Sequence, residues 1–388
     1  MKIADIEQQL IQAGCKSVHI ERFWRNWYSG KPLNRSKVRL PAAAEAILPQ
    51  MEEYLANQLT AQEKAESETG TRWVLKAYDG QLIECVLLPR EGVCVSTQVG
   101  CAVGCVFCMT GKSGLIRQLT DLEVAGQVQY AMRNAPVKKV VLMGMGEPSH
   151  NLRSVFSAVE HIVRYSGIGY KEVVISTVGD KRLFKALMES QIKPALAISL
   201  HSAMDEKRRS LLPRAAELTV KEILEFGAKY AEVGKYPIQY QWTLINGVND
   251  GVDEIEALAP LWSRQAILNM IPVNAVEGSP YKRPSAEQIE RIKEACRANG
   301  ILLKFRDSAA QDVDGGCGQL RARALKRKPA IQPAQELKDF NAKVLADKSL
   351  GNQNVIDAKA AIPSESHHSI VPPGIGFFRL FKSAEGIR

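Results

Sequence analysis

The chain has no apolar run of membrane-spanning length, which excludes a transmembrane helix. Met1 to Cys15 shows no basic-then-apolar signal pattern, so the expected location is the cytoplasm. Thiols stay reduced there, and the eight cysteines are then ligands, redox groups or buried fillers rather than a disulfide framework. No internal repeat is found, and paired C-x2-C knuckles of the zinc type are missing as well. Acidic residues are in the minority, 42 against 51 Lys and Arg, giving a net charge of +9. That balance suits an anionic partner, with nucleic acid the first candidate. A length of 388 residues with 45% hydrophobic content suits one large α/β core with appendages.

What is present centres on Cys94 to Lys112. Cys101, Cys105 and Cys108 have the spacing C-x3-C-x2-C, with Phe107 before the last. Three thiolates on one short loop suit three irons of a [4Fe–4S] cubane. The fourth iron then has a position open to the amino and carboxylate groups of S-adenosylmethionine, whose reductive cleavage yields a 5′-deoxyadenosyl radical. Downstream, Cys317 lies among Gly315, Gly316 and Gly318, an open setting that marks a reactive thiol rather than a packed one.

Apolar spacing places helices over residues 1–60, where Phe23, Trp24, Trp27 and Tyr28 alternate with Arg22 and Arg25. These rings suit either a helical core or base stacking. The basic stretch Lys31 to Arg39 suits phosphate contacts. Ala61 to Gly70 is polar and is expected to be a linker. Asp79-Gly80 between apolar runs predicts a β-hairpin. Glu84 lies in its second strand; it either faces water or, desolvated among Ile83, Cys85 and Val86, has its pKa raised toward a general base.

From Val93 strands and helices alternate. Thr120 with Glu123, Thr219 with Glu222 and Ser285 with Gln288 mark helix starts. Six or so β–α units predict a parallel sheet curling toward a barrel. Functional residues should then lie at strand C-termini. The cysteine loop, Gly146-Glu147, Ser176, Ser199-Leu200-His201 and Asn274 all do so. The expected divisions are a helical accessory region over 1–60 with a role in RNA contact, the linker and hairpin over 61–92, a core barrel over 93–325, and a basic, largely flexible tail over 326–388.

The motifs Ser96-Thr-Gln-Val-Gly-Cys101 through Cys108, Gly144-Met-Gly-Glu-Pro148, Ser176-Thr177, Ala197-Ile-Ser-Leu-His201, Val248-Asn-Asp250, Ile271-Pro-Val-Asn274 and Cys317-Gly-Gln-Leu320 together resemble the RlmN/Cfr family of radical S-adenosylmethionine RNA adenine methyltransferases. The resemblance spans roughly residues 15 to 325 and points to a paralogue of RlmN, since the lead Arg306 to Asp314 and the run Met109-Thr-Gly-Lys-Ser depart from the usual pattern. It implies an α/β fold with a partial (βα)6 radical-SAM barrel. Cys101, Cys105 and Cys108 would ligate the cluster. Gly146, Glu147, Ser176, Ser199, Leu200, His201 and Asn274 would contact S-adenosylmethionine. Cys317 would carry a methyl group as S-methylcysteine, Cys94 would be the second catalytic cysteine, near its thiolate form, and Glu84 the proton acceptor. The implied product is an adenine methylated at a ring carbon, carbon 2 preferred, in rRNA or tRNA. The implied partners are that RNA and an electron donor such as flavodoxin or ferredoxin, with a monomeric enzyme. Two other readings stand beside it: a radical enzyme of another reaction type, and a [4Fe–4S] redox-sensing RNA-binding protein.

Overall fold

A computed structural model describes residues 1–35, 38–112, 114–276 and 278–320. The tail expected over 326–388, and two positions of the basic stretch 31–39, lie outside the described residues.

The chain opens with helices α1 (Ile3–Gln12), α2 (Ser17–Ser29) and α3 (Ala42–Ala56). On α2, Ile20, Phe23, Trp24, Trp27 and Tyr28 repeat at helical spacing and all are buried. Trp24 meets the His161 ring edge-on at 4.4 Å, and Tyr28 Oη pairs with His161 Nδ1 at 3.0 Å. These rings are therefore core, and the base-stacking alternative does not hold for them.

Strands β1 (Leu59–Ser67), β2 (Gly70–Ala77) and β3 (Leu82–Leu88) form an antiparallel meander. The expected hairpin is β2–β3. The expected linker over 61–70 is instead most of β1, paired to β2 with an irregularity between Ala61 and Glu63. Its charges hid it: Glu63, Lys64 and Glu66 sit on an edge strand, where charge discourages unwanted pairing.

Next come β4 (Gly92–Cys94), β5 (Gln98–Gly100), α4 (Met109–Lys112), β6 (Leu115–Gln118), α5 (Asp121–Asn134), β7 (Lys139–Leu142), α6 (Leu152–Tyr165), β8 (Val173–Thr177), α7 (Lys181–Glu189), β9 (Ala195–Ser199), α8 (Asp205–Leu211), α9 (Val220–Gly234), β10 (Ile238–Leu244), α10 (Val252–Leu258), β11 (Ala266–Pro272), α11 (Ala286–Ala298) and β12 (Leu303–Phe305). The single strand expected over 93–99 is two short ones, because the chain leaves the main sheet after Val95 and pairs β5 with β6. The expected caps form: Thr120 Oγ1 accepts from the Glu123 amide at 3.1 Å, as Thr219 does from Glu222 and Ser285 from Gln288.

The main sheet has ten strands in the order β1-β2-β3-β4-β7-β8-β9-β10-β11-β12. From β4 to β12 every neighbouring pair is parallel. Among the described residues β1 and β12 do not pair, so the barrel is partial. The register assigns side chains to faces, since partners directly opposite share one. One face carries Trp73, Ile83, Val93, Val140, Ile175, Leu196, Ile198, Tyr240, Trp242, Leu268 and Met270, all buried under the helices. The inner face carries Arg72, Glu84, Cys94, Ser176, Ser199, Gln239, Gln241 and Asn269. Four of these, Ser176, Ser199, Gln239 and Gln241, are only half-buried although their strands are central.

A polar candidate active site inside the partial barrel

The inner face leads upward to the loops at the strand C-termini. After β5 the chain makes the loop of Cys101, Cys105 and Cys108. Val103 and Phe107 of this loop pack with Val178, Leu211, Leu212, Ile245 and Val273 in a small apolar cluster of their own. Burial pushes the Cys101 thiol up to about 12, opposed by the Val103 and Gly104 amides and reinforced by Cys108 and Glu147. Cys105 is raised well above the usual thiol range by burial, then by Cys108, Cys101 and Glu147. Cys101 and Cys105 thus feel their neighbouring thiols, and Cys101 is buried while Cys105 and Cys108 are half-buried.

Among the described residues, no three His, Cys, Asp or Glu side chains converge as ligands of a single metal ion do. A cubane is bridged by its own sulfides, so three thiolates spread around it fit without meeting at a point. Binding to the metal removes the thiol protons that burial otherwise retains. The donor set therefore fits a [4Fe–4S] cluster with one iron left for another ligand.

The Gly144–Pro148 turn follows β7. Gly146 has φ +102°, and a Cβ there would come within 2.6 Å of the Gln98 side chain, so only glycine fits. The Glu147 carboxylate is held inside the protein: Oε1 accepts from the Ser149 amide at 3.0 Å and Thr177 Oγ1 at 2.5 Å, and Oε2 accepts from the Val178 amide at 2.9 Å. A ligand would meet this turn through backbone groups. Leu200 is likewise fully buried in the core, so its backbone rather than its side chain faces the rim. Ser176 and Ser199 end β8 and β9 on the inner face.

His201 follows β9 in a left-handed conformation, φ +61°. Its Nδ1 accepts from the Thr243 amide at 2.9 Å, and Asn249 Nδ2 donates to its carbonyl at 2.7 Å. The ring meets Phe107 of the cysteine loop edge-on at 5.0 Å. Burial, then the nearby Arg208, depresses His201 to about 3, so the imidazole is neutral.

The Cys317 loop docks on the cysteine loop through backbone bonds. The Met109 amide donates to the Gly318 carbonyl at 2.8 Å, and Asn274 Nδ2 donates to the Cys317 carbonyl at 2.8 Å. Gly318 has φ +81°, and a Cβ there would lie 3.1 Å from the Phe107 carbonyl. Cys317 itself is exposed. Enclosing protein still pushes its thiol up to about 11, with Cys108 adding to the effect. Cys94, at the end of β4 on the inner face, is raised to about 12 by burial and by Cys317. Burial thus disfavours, in the resting chain, the thiolate that the exchange with Cys317 is expected to need. Glu84 does not face water; it is 1% exposed and pairs with Arg72 Nη1 at 2.5 Å.

The fold therefore brings Cys317 within electrostatic reach of both Cys108 and Cys94, with Asn274 and His201 on the same rim. Sequence reasoning missed Arg72, Arg208, Gln241 and Asn269. The buried Arg208 donates to the carbonyls of Val178 and Ser199 beneath the rim. Arg72 Nε, Arg208 Nε, Gln241 Nε2, Asn269 Oδ1 and Asn274 Oδ1 are buried polar atoms with no partner among the described residues. Such atoms are costly in a closed core and ordinary in a ligand site. The one signal in the sequence was a polar residue at alternate positions of strands otherwise apolar.

The family model for the radical SAM superfamily matches residues 95–259. The chain is 47% identical over 350 residues to a probable RNA methyltransferase of Bordetella avium, covering 86% of this chain and 100% of that protein. A probable RNA methyltransferase of Thiobacillus denitrificans is also 47% identical, over 85% of this chain and 93% of its own. A radical SAM methyltransferase from Sphaerobacter thermophilus superposes with a TM-score of 0.73 at 30% identity, covering 83% of this chain and 98% of that one. The cofactors that follow are a [4Fe–4S] cluster and S-adenosylmethionine. With the cysteine triple, the Gly-Met-Gly-Glu turn and the partial barrel described above, the chain belongs to the RlmN/Cfr-like family of radical S-adenosylmethionine RNA methyltransferases.

Proposed function

We propose that this enzyme methylates a ring carbon of adenine, carbon 2 preferred, in ribosomal or transfer RNA, with Cys317 as methyl carrier. The observation that supports this most is that the loop of Cys317, docked on the cysteine loop through the Met109 amide, brings Cys317 within electrostatic reach of both Cys108 and Cys94. Cys101, Cys105 and Cys108 hold the cluster. Gly146, Glu147, Ser176, Ser199, Leu200, His201 and Asn274 line the S-adenosylmethionine site. Bound there, the cofactors supply a carbon radical that takes hydrogen from an otherwise unreactive methyl group.

The protein's own residues do the rest. An electron-poor ring carbon does not attack a sulfonium methyl, so the carbon is first parked on Cys317 sulfur, whose proton leaves as the methyl arrives. Once a methylene bridge joins Cys317 Sγ to the ring carbon, Glu84 accepts the ring proton, and the one surplus electron of that adduct would return to the bound cluster, so that a closed-shell thioether remains. Cys94 then attacks Cys317 Sγ. The sulfur–sulfur bond forms, the sulfur–carbon bond breaks, and the electron pair left on carbon takes a proton to give the methyl group. The attack needs Cys94 as a thiolate, so its proton must leave before or during that step. The Cys94–Cys317 disulfide is reduced by a thiol donor before the next cycle. The target base must be unpaired or flipped out to enter the barrel. A cytoplasmic monomer served by flavodoxin or ferredoxin completes the proposal; no described helix is long and apolar enough to cross a membrane.

Mass spectrometry of nucleosides from RNA of a strain lacking the protein tests it. The expected result is loss of one methyladenosine that returns on complementation, and an unchanged methyladenosine profile overturns it. Release of 5′-deoxyadenosine after chemical reduction separates an enzyme from a redox sensor.

A further inference from the structure

Arg72 has a side chain 0% exposed, yet it is not paired one to one. From the central strand of the meander, Nη1 donates to Glu84 Oε1 on β3 at 2.5 Å and Nη2 donates to Glu63 Oε1 on β1 at 2.6 Å. Its Nε has no partner among the described residues. A guanidinium often clamps a single carboxylate with two parallel bonds; here the fork is split between two strands. A Cβ built on Gly315 would lie 3.4 Å from Arg72 Cβ, so Arg72 also underlies the loop that carries Cys317. Ser96 Oγ donates to the Glu84 carbonyl at 2.6 Å and fixes that strand to the start of the cysteine loop.

We propose that Arg72 is the positioning residue that keeps Glu84 ionised and aimed at the ring proton, in register with the Cys317 loop; this rests on the Glu84 role given above. A proton acceptor must carry its charge before it acts, and a carboxylate this buried needs a counter-charge to do so. Glu63, whose side chain is 20% exposed, draws off part of that charge. The step moves one proton from ring carbon to a Glu84 oxygen, the carbon–hydrogen electron pair stays on the ring, and nothing is oxidised or reduced in it.

The test uses anaerobically reconstituted full-length enzyme, S-adenosylmethionine, a chemical reductant and total RNA from a strain lacking the protein. Three quantities are read: methyladenosine formed, protein cross-linked to RNA on denaturing gels, and 5′-deoxyadenosine released. Arg72→Met is expected to lower methyladenosine by roughly 10²-fold, the scale of a lost general base. Cross-linked protein per 5′-deoxyadenosine should rise as it does for Glu84→Gln, and Arg72→Lys should restore part of the product. A merely structural role lowers all three quantities in parallel without changing that ratio, and that result overturns the proposal. If Glu84→Gln traps cross-linked protein and Arg72→Met does not, Arg72 alone is excluded. If Glu84→Gln traps nothing and turns over normally, the Glu84 reading itself has failed. Glu63→Gln keeps the Arg72–Glu84 pair and guards against a misfolded Arg72 variant. It should also raise the cross-link ratio, by several-fold less, and a wild-type ratio overturns the sharing of charge.

Discussion

The two faces of the parallel strands follow opposite rules. The helix-covered face is apolar and closed, as expected for a parallel sheet sandwiched by helices. The inner face carries Cys94, Ser176, Ser199, Gln241 and Asn269, continued by Arg72 and Glu84 on the antiparallel strands beside them, with several polar atoms that the protein itself does not satisfy. In a parallel sheet built for stability alone, both faces would be apolar. The helix-covered half of each strand serves packing, and the inner half is where the proposed chemistry would lie.

Substitutions that cross the two faces test this division. On the inner side, Cys317→Ala should reduce methyl transfer to RNA below detection while moving stability by less than about 0.5 kcal/mol, as is usual for an exposed site. Nucleoside mass spectrometry and a urea melt read the two effects, and residual methylation would remove the carrier role. On the outer side, Trp242→Ala should cost about 3–5 kcal/mol through the cavity it leaves. Chemical denaturation reads the loss, and a change under 1 kcal/mol would show that this face is not packed as described.

Two of the buried histidines sharpen the comparison by pH, since His161 belongs to the outer layer and His201 to the rim. Burial holds both near 3, against an ordinary value of 6.5. The unfolded chain takes up a proton on each below about pH 6.5, and the folded chain does not until about pH 3. Their contribution is therefore complete above pH 6.5 and is lost as the pH falls, by about 2 kcal/mol each at pH 5. Urea melts at pH 7 and pH 5 check this, and His161→Phe should shrink the difference. The smallest effect belongs to neither face. Thr219→Ala removes the cap of α9 and should cost about 1 kcal/mol, read as a small drop in Tm with methyl transfer intact.

Much of this molecule was legible from local sequence. The capping pairs, the Asp79-Gly80 hairpin and the three clustered cysteines each depend on neighbours only a few residues away. Cys94 and Cys317 were legible as chemistry through a family resemblance. What stayed hidden depends on register. Arg72 is one cation in an apolar strand until β1 and β3 are laid beside it, bringing Glu63 and Glu84 to its two ends. The burial of Cys94 stayed hidden for the same reason, since burial is a property of the folded sheet. Strand β1 was mistaken for a linker because edge strands and linkers are both rich in charge.

The loop bearing residue 317 is anchored by main-chain groups: its carbonyls at 317 and 318 receive bonds from Asn274 and from the Met109 amide. Backbone anchors are indifferent to the atom displayed between them. Position 317 is in that sense a socket, where selenium or an unnatural nucleophile would be presented at the same spot, so the atom displayed there becomes an experimental variable.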